Sequence, residues 1–195
     1  LSAELPAGFV FDWAGQTRQE ISAGDLAPIL MLLAIVFVYL FLVAQYESWM
    51  IPFAVIGAVP LSMFGAFSVL YVIGLANNIY AQVGLVLLIG LSTKTAILIV
   101  EFAVELRKDG QSILEAATNA AQLRFRAVLM TAFSFLLGVL PLVLATGAGA
   151  SSRVSLGVTV FSGMLAATIL GTILIPIFFS LVQEVIERTT SEKPS

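Results

Sequence analysis

Residues 87–103 read LLIGLSTKTAILIVEFA, a run that would cross a membrane without remark but for the lysine at its centre. About 20 mostly apolar residues cover the roughly 30 Å of hydrocarbon in a bilayer. With its flanks, about Ile79 to Leu106, the stretch exceeds that length. Lys94 then lies about 15 residues, or roughly 22 Å, from one end of its helix and about 12 residues from the other. A lysine so deep cannot reach the interface easily, and it costs about 2.5–3.5 kcal/mol to insert. Such a cost calls for a partner, a function, or both.

The composition agrees with a membrane protein. Of 195 residues, 59% are hydrophobic and 11% charged, against an apolar share of roughly 45–50% in soluble domains. Twelve acids against nine bases give a net charge of −3, with nothing like the basic stripe that nucleic acid requires. The chain has no Cys and no His. Thiol chemistry, disulfides, imidazole metal sites and histidine proton shuttles are therefore excluded, and proton work falls to carboxylates, lysine, or hydroxyls with water. No nucleophile–base pair, metal cluster or phosphate loop is visible, so the expectation is no enzyme, no metal and no cofactor.

Five segments are long and apolar enough to span: about 26–44, 51–75, 79–106, 125–146 and 154–183. Pro28 and Pro52 fall in first turns, where a missing N–H costs nothing. Pro60, Pro141 and Pro176 lie inside spans and predict kinks, which membrane bundles tolerate. The expected fold is all-α: five transmembrane helices, one short interfacial helix at about 112–122, and a tail at 186–195. The interfacial helix rests on Ser112 with Glu115 as a capping box and on an apolar face of Ile113, Ala117 and Ala120; the alternative is a solvated loop with some helicity. Residues 1–25 read as a strand and linker, with Phe9, Phe11 and Trp13 alternating onto one face. A lone strand has no ladder partner, and no signal peptide is visible after Leu1. The chain is expected to be a piece of a longer one.

Orientation follows from Lys and Arg. One side of five spans carries Arg107, Lys108, Arg124, Arg126, Arg188 and Lys193, the other Arg18 and Arg153. The C-terminus is expected in the cytoplasm and the N-terminus outside.

No acid in the sequence sits deep enough to answer Lys94. Glu101, seven residues on, shares its face but is about 10 Å away along the axis. The counter-charge comes from another chain or from a missing half, or Lys94 is neutral in place. Arg124 and Thr131, also seven apart, share a face of the fourth span and could hold water on a line that passes protons. Ser92, Thr93 and Thr95 could hydrate the same seam. Gly163, Ala167 and Gly171 recur every four residues on the fifth span, and Ser134 and Gly138 on the fourth. That spacing lets helix backbones approach closely.

The segments YESWMIPFAV, QVGLVLLIGLSTKTAILIVEFA, RFRAVLMTAFSFLLGVLPLVLATGAGA and PIFFSLV together resemble the last five membrane helices of resistance-nodulation-division (RND) efflux transporters. The likeness is to the AcrB-type hydrophobe/amphiphile branch and covers nearly the whole chain. The opening LPAGFVFDWAGQTRQE is similar to that family's final periplasmic strand and linker. The resemblance implies a proton-driven antiporter of the bacterial inner membrane with twelve membrane helices. It also implies a homotrimer that works with a periplasmic adaptor and an outer-membrane channel, powered by the proton motive force without a cofactor. It implies further that Lys94 pairs with two aspartates of the first half, and that Arg124 and Thr131 belong to the same proton relay. Thr95 stands where many members have Asn, and Ala127 where many have Pro.

The expected function is thus the C-terminal transmembrane portion of a multidrug efflux transporter, in contact with lipid. One alternative is a relative exporting metal ions or lipids, although Met31, Met50, Met63, Met130 and Met164 are scattered as packing residues. The other is a non-transporting fragment or scaffold of membrane helices.

Overall fold

The computed structural model describes residues 26–191, together with 15, 17 and 18. The expected strand over Phe9, Phe11 and Trp13 lies outside the described residues, as does Lys193. Every regular element among the described residues is helical, in the order α1 (Ala27–Tyr46), α2 (Ile51–Ile56), α3 (Ala58–Ile73), α4 (Ile79–Lys108), α5 (Ile113–Val143) and α6 (Ala150–Ser191). With α2 and α3 taken as one span, five helical segments are long and apolar enough to cross a membrane.

Local chemistry sets most boundaries. Pro28 opens α1 in its first turn. Gly74, at φ +74°, ends α3, and the Leu75 N–H bonds back to the Leu70 carbonyl at 3.0 Å, a left-handed glycine cap. Asn78 caps α4, its side-chain oxygen accepting from the Ala81 N–H. The capping box at Ser112 and Glu115 is present.

In the second span the helix is irregular for one residue at Gly57, whose backbone stays α-helical (φ −53°, ψ −21°), so Ile51–Ile73 remains one span; Pro60 has no N–H to offer the Ile56 carbonyl and its ring crowds that turn. One expectation differs. The segment 112–122 is no separate interfacial helix. It forms the opening turns of α5, which runs unbroken to Val143. No Gly or Pro lies between Ser112 and Gly138 to stop it, so the expected long connection shrinks to the turn 109–112. The two longest helices, α5 with 31 residues and α6 with 42, extend about 46 and 63 Å. Both outrun the hydrocarbon and project beyond it; the end of the bundle where Arg107, Lys108, Arg124, Arg126 and Arg188 gather is its basic end, although acids stand among them.

Helix α6 is the spine, packing on α2, α3, α4 and α5, while α1 packs on α2 and α4. Lipid offers no hydrophobic incentive for apolar helices to associate, so close contact depends on small residues. Where α3 crosses α6 the contact is reciprocal. A Cβ on Gly65 would fall on Ala166 and 3.0 Å from the Ser162 carbonyl; one on Gly163 would fall on Leu88 and 3.0 Å from the Ser62 carbonyl. The buried hydroxyls nearby donate to their own helices, Ser62 to the Val59 carbonyl and Ser162 to that of Val158, at 2.8 and 2.7 Å. The largest core gathers Leu42, Val55, Ile99, Val100, Val128 and Phe179 toward the basic end. The outer surface is apolar too: Phe37, Phe64, Tyr71 and Leu137 stand exposed, as residues facing lipid should.

Candidate functional site

Helix α4 carries Lys94 at mid-length, and α5 brings Thr131 to the same place. The two side chains share a cleft of about 50 Å³ with Leu91, Thr95, Leu98, Phe135 and Met164. That is room for a water molecule or two. Lys94 is exposed, and among the described residues no hydrogen bond or ion pair reaches its ammonium. Glu101 forms no ion pair with it.

The hydroxyls around the lysine are committed to backbone. Thr131 donates to the Ala127 and Val128 carbonyls at 3.1 and 2.9 Å. Thr93 donates to the Ile89 carbonyl at 2.8 Å, and Ser92 and Thr95 make longer bonds of the same kind. Each keeps an oxygen lone pair available as an acceptor. The cleft therefore combines a charge, two hydroxyl oxygens and apolar walls.

Arg124 lies two turns from Thr131 toward the basic end, outside this cleft. Its guanidinium carbon sits 4.5 Å from the centroid of the Phe102 ring, a cation–π contact between α5 and α4. Its Nε is buried with no hydrogen-bond partner. Phe102 and Arg124 sit on different helices, and nothing in their spacing announces the contact. The structure thus joins Lys94 with Thr131 and leaves Arg124 on the same helix face, further along.

The small residues fall into two groups. Gly163 and Ala167 are buried, Gly163 against α3 and α4; beside Gly171 the nearest side chain is Ile175 of the same helix. Ser134 is exposed and donates to the Met130 carbonyl, and a Cβ on Gly138 would meet nothing within 4 Å. Glycines that spacing did not single out also carry contacts: Gly65 on α6, Gly84 on Thr159, and Gly157 on Leu142.

A second feature lies toward the basic end. Glu101, Glu105 and Lys108, at i, i+4 and i+7 on α4, line a cavity of about 580 Å³ with Gln45, Tyr46, Glu47 and Val104. The Tyr46 hydroxyl is buried there without a partner.

The sequence that builds these helices matches one family. Residues 1–183 correspond to the AcrB/AcrD/AcrF family. The chain belongs to that family of RND efflux transporters. It is 47% identical over 189 residues to the multidrug resistance protein MdtF of Escherichia coli, covering 96% of this chain and 18% of MdtF. It is 44% identical over 193 residues to the toluene efflux pump membrane transporter TtgB of Pseudomonas putida, covering 99% of this chain and 18% of TtgB. TtgE of the same species, also a toluene efflux pump membrane transporter, is 45% identical over 193 residues, covering 98% of this chain and 18% of TtgE. The chain therefore spans about a fifth of the length of these relatives.

Proposed function

We propose that these helices are the C-terminal transmembrane portion of a proton-driven RND multidrug efflux transporter, with Lys94, Arg124 and Thr131 as their share of an intramembrane proton relay. The observation that carries the proposal is the cleft where α4 and α5 present Lys94 and Thr131 together, with the ammonium unpartnered among the described residues. An unpartnered cation at that depth is costly, and carboxylates from elsewhere in the protein would offset the cost. When those carboxylates are ionised they attract Lys94; when protonated they release it. The attraction changes steeply because a water-poor interior screens charge weakly. Helices α4 and α5 then shift relative to the counter-charged helices, and the cycle of proton binding becomes a cycle of helix positions.

Arg124 suits the mouth of such a relay. It is permanently charged, so it holds local water and repels a proton that has reached Thr131 without taking it up. The accompanying reading is an inner-membrane protein with its N-terminus in the periplasm and its C-terminus in the cytoplasm. It would act as a homotrimer with a periplasmic adaptor and an outer-membrane channel, without any cofactor beyond the proton gradient. The names of MdtF and TtgB support hydrophobic drugs and solvents as the cargo class.

Lys94→Ala in the full-length protein tests this. Export of a fluorescent hydrophobic dye should be lost while the amount of membrane-inserted protein is unchanged. Lys94→Arg keeps the charge but alters its shape and hydration, and should export poorly. Export by Lys94→Ala at the parental rate would reject the relay.

A further inference from the structure

Arg107 closes α4 at the basic end of the bundle, and its guanidinium donates in two directions. Nε and Nη2 donate to Glu187 Oε1 of α6 at 3.0 and 2.6 Å. Nη1 donates to the Gln111 carbonyl in the 109–112 turn at 2.7 Å. The Gln111 side chain carries the link onward, its Oε1 accepting from Asn119 Nδ2 of α5 at 3.0 Å. One chain of hydrogen bonds thus ties the ends of α4 and α6 to the start of α5. A planar fork with donors on two edges can do this; a lysine ammonium lacks that fixed geometry.

The other flank of the same helix end is open. Glu101, Glu105 and Lys108 face the 580 Å³ cavity, across which lie Gln45, Tyr46 and Glu47 at the end of α1. Among the described residues, helix α4 is therefore hydrogen-bonded to its neighbours on one side and borders this cavity on the other.

We propose that Arg107 is an ionic clasp that makes the basic ends of α4, α5 and α6 one body, so that movement of the Lys94 helix at this end is taken up across the cavity toward α1 and not against α6. The movement it directs is that of the proposed function, on which this part rests; the clasp itself is geometric, and distances between labels read it without reference to export. It is also reversible. The side chains of Arg107 and Glu187 are 31% and 43% exposed, so water and salt reach the pair and screen it.

Spin labels test this in the full-length protein reconstituted in liposomes. Asp109→Cys with Glu184→Cys reports the fastened flank, and Asp109→Cys with Gln45→Cys reports the cavity flank; all three positions are exposed. The first pair should give a narrow distance distribution and the second a broad one. Arg107→Gln, or Glu187→Gln where the arginine variant fails to reach the membrane, should abolish the narrow peak. The swap Arg107→Glu with Glu187→Arg should restore it, and about 1 M salt, where the Debye length is about 3 Å, should broaden it in the parent. A first pair equally narrow in the neutral variants overturns the clasp. So does broadening that the swap leaves unrepaired, because the arginine would then act by packing alone.

Discussion

Gly163 and Gly138 belong to two runs of small residues that share a four-residue spacing, and they meet opposite surroundings. Gly163 lies against Leu88 and the Ser62 carbonyl, with no room for a methyl group; Gly138 has nothing within 4 Å. The spacing is the same because the requirement is the same, a helix face without bulk. What differs is whether another of these five helices packs there. The α3–α6 crossing is satisfied within the chain. The α5 face is not, and it is the face that carries Thr131, since residues 131, 134 and 138 fall at i, i+3 and i+7. The open small-residue face and the cleft with the unpartnered lysine are continuous, and on the proposed function both await the same counter-charged helices.

The sharpest way to break this comparison is to add bulk at both glycines. Gly163→Leu pushes a side chain into backbone that cannot retreat. We expect a loss at or above the upper end of the about 1–3 kcal/mol typical of overpacking, read as a fall in melting temperature of the full-length protein in detergent. Gly163→Ala should already be destabilising. Gly138→Ala meets no atom of these five helices, so its sign reads what covers the face: a gain of about 0.5–1 kcal/mol, the ordinary advantage of Ala over Gly in a helix, marks a bare face, and a loss marks one closed by other helices. Equal losses at the two positions would mean that helices outside these five close on the α5 face as tightly as α3 and α4 close on Gly163.

A smaller effect separates the two helix caps. Asn78 caps α4 and also donates to Ser155 Oγ of α6 at 2.9 Å, so Asn78→Ala removes a cap and a tie between helices together. About 1–2 kcal/mol should be lost. Ser112→Ala breaks an exposed capping box that touches only its own helix, and about 0.5–1 kcal/mol is expected. Thermal melts of the two variants should rank in that order; the reverse ranking would place the stronger anchor at the basic end.

How much of this was legible in the sequence follows from the solvent. Hydropathy locates spans because the bilayer demands about 20 apolar residues, and Pro28 and the Ser112–Glu115 pair mark helix starts by local chemistry alone. Within a span that signal is exhausted. Phe64 faces lipid and Leu88 faces α6, yet both are simply apolar, so no periodicity separates the packed face from the wet or lipid face. Hence Gly163 and Gly138 read alike. The continuity of α5 was hidden for a related reason: QLRFR looks like loop by charge, as RKDGQ does, but only RKDGQ holds a glycine, Gly110 at φ +94°, and turns, whereas a charged stretch without Gly or Pro stays helical when the helix projects from the membrane. The Arg107–Glu187 and Arg124–Phe102 contacts join residues on different helices, and only the packed bundle brings them together. For the candidate site, the deep lysine was legible by cost, whereas its meeting with Thr131 depended on how α4 and α5 lie against each other.

The smallest expected stability change is at Thr131, and it bears most directly on what the open face is for. The hydroxyl donates to the Ala127 and Val128 carbonyls of its own helix, so valine, of the same branched shape, deletes a local bond without leaving any carbonyl short of its helical N–H partner. Thr131→Val should melt within about 0.5 kcal/mol of the parent. What valine cannot supply is a hydroxyl oxygen at the wall of the Lys94 cleft, and on the proposed relay dye export should fall while melting stays put. Thr131→Ser restores the oxygen with a smaller side chain and should recover export. If valine and serine export alike, the hydroxyl is only a helix bond, and the relay through this cleft reduces to Lys94 and the charges that other helices bring to it.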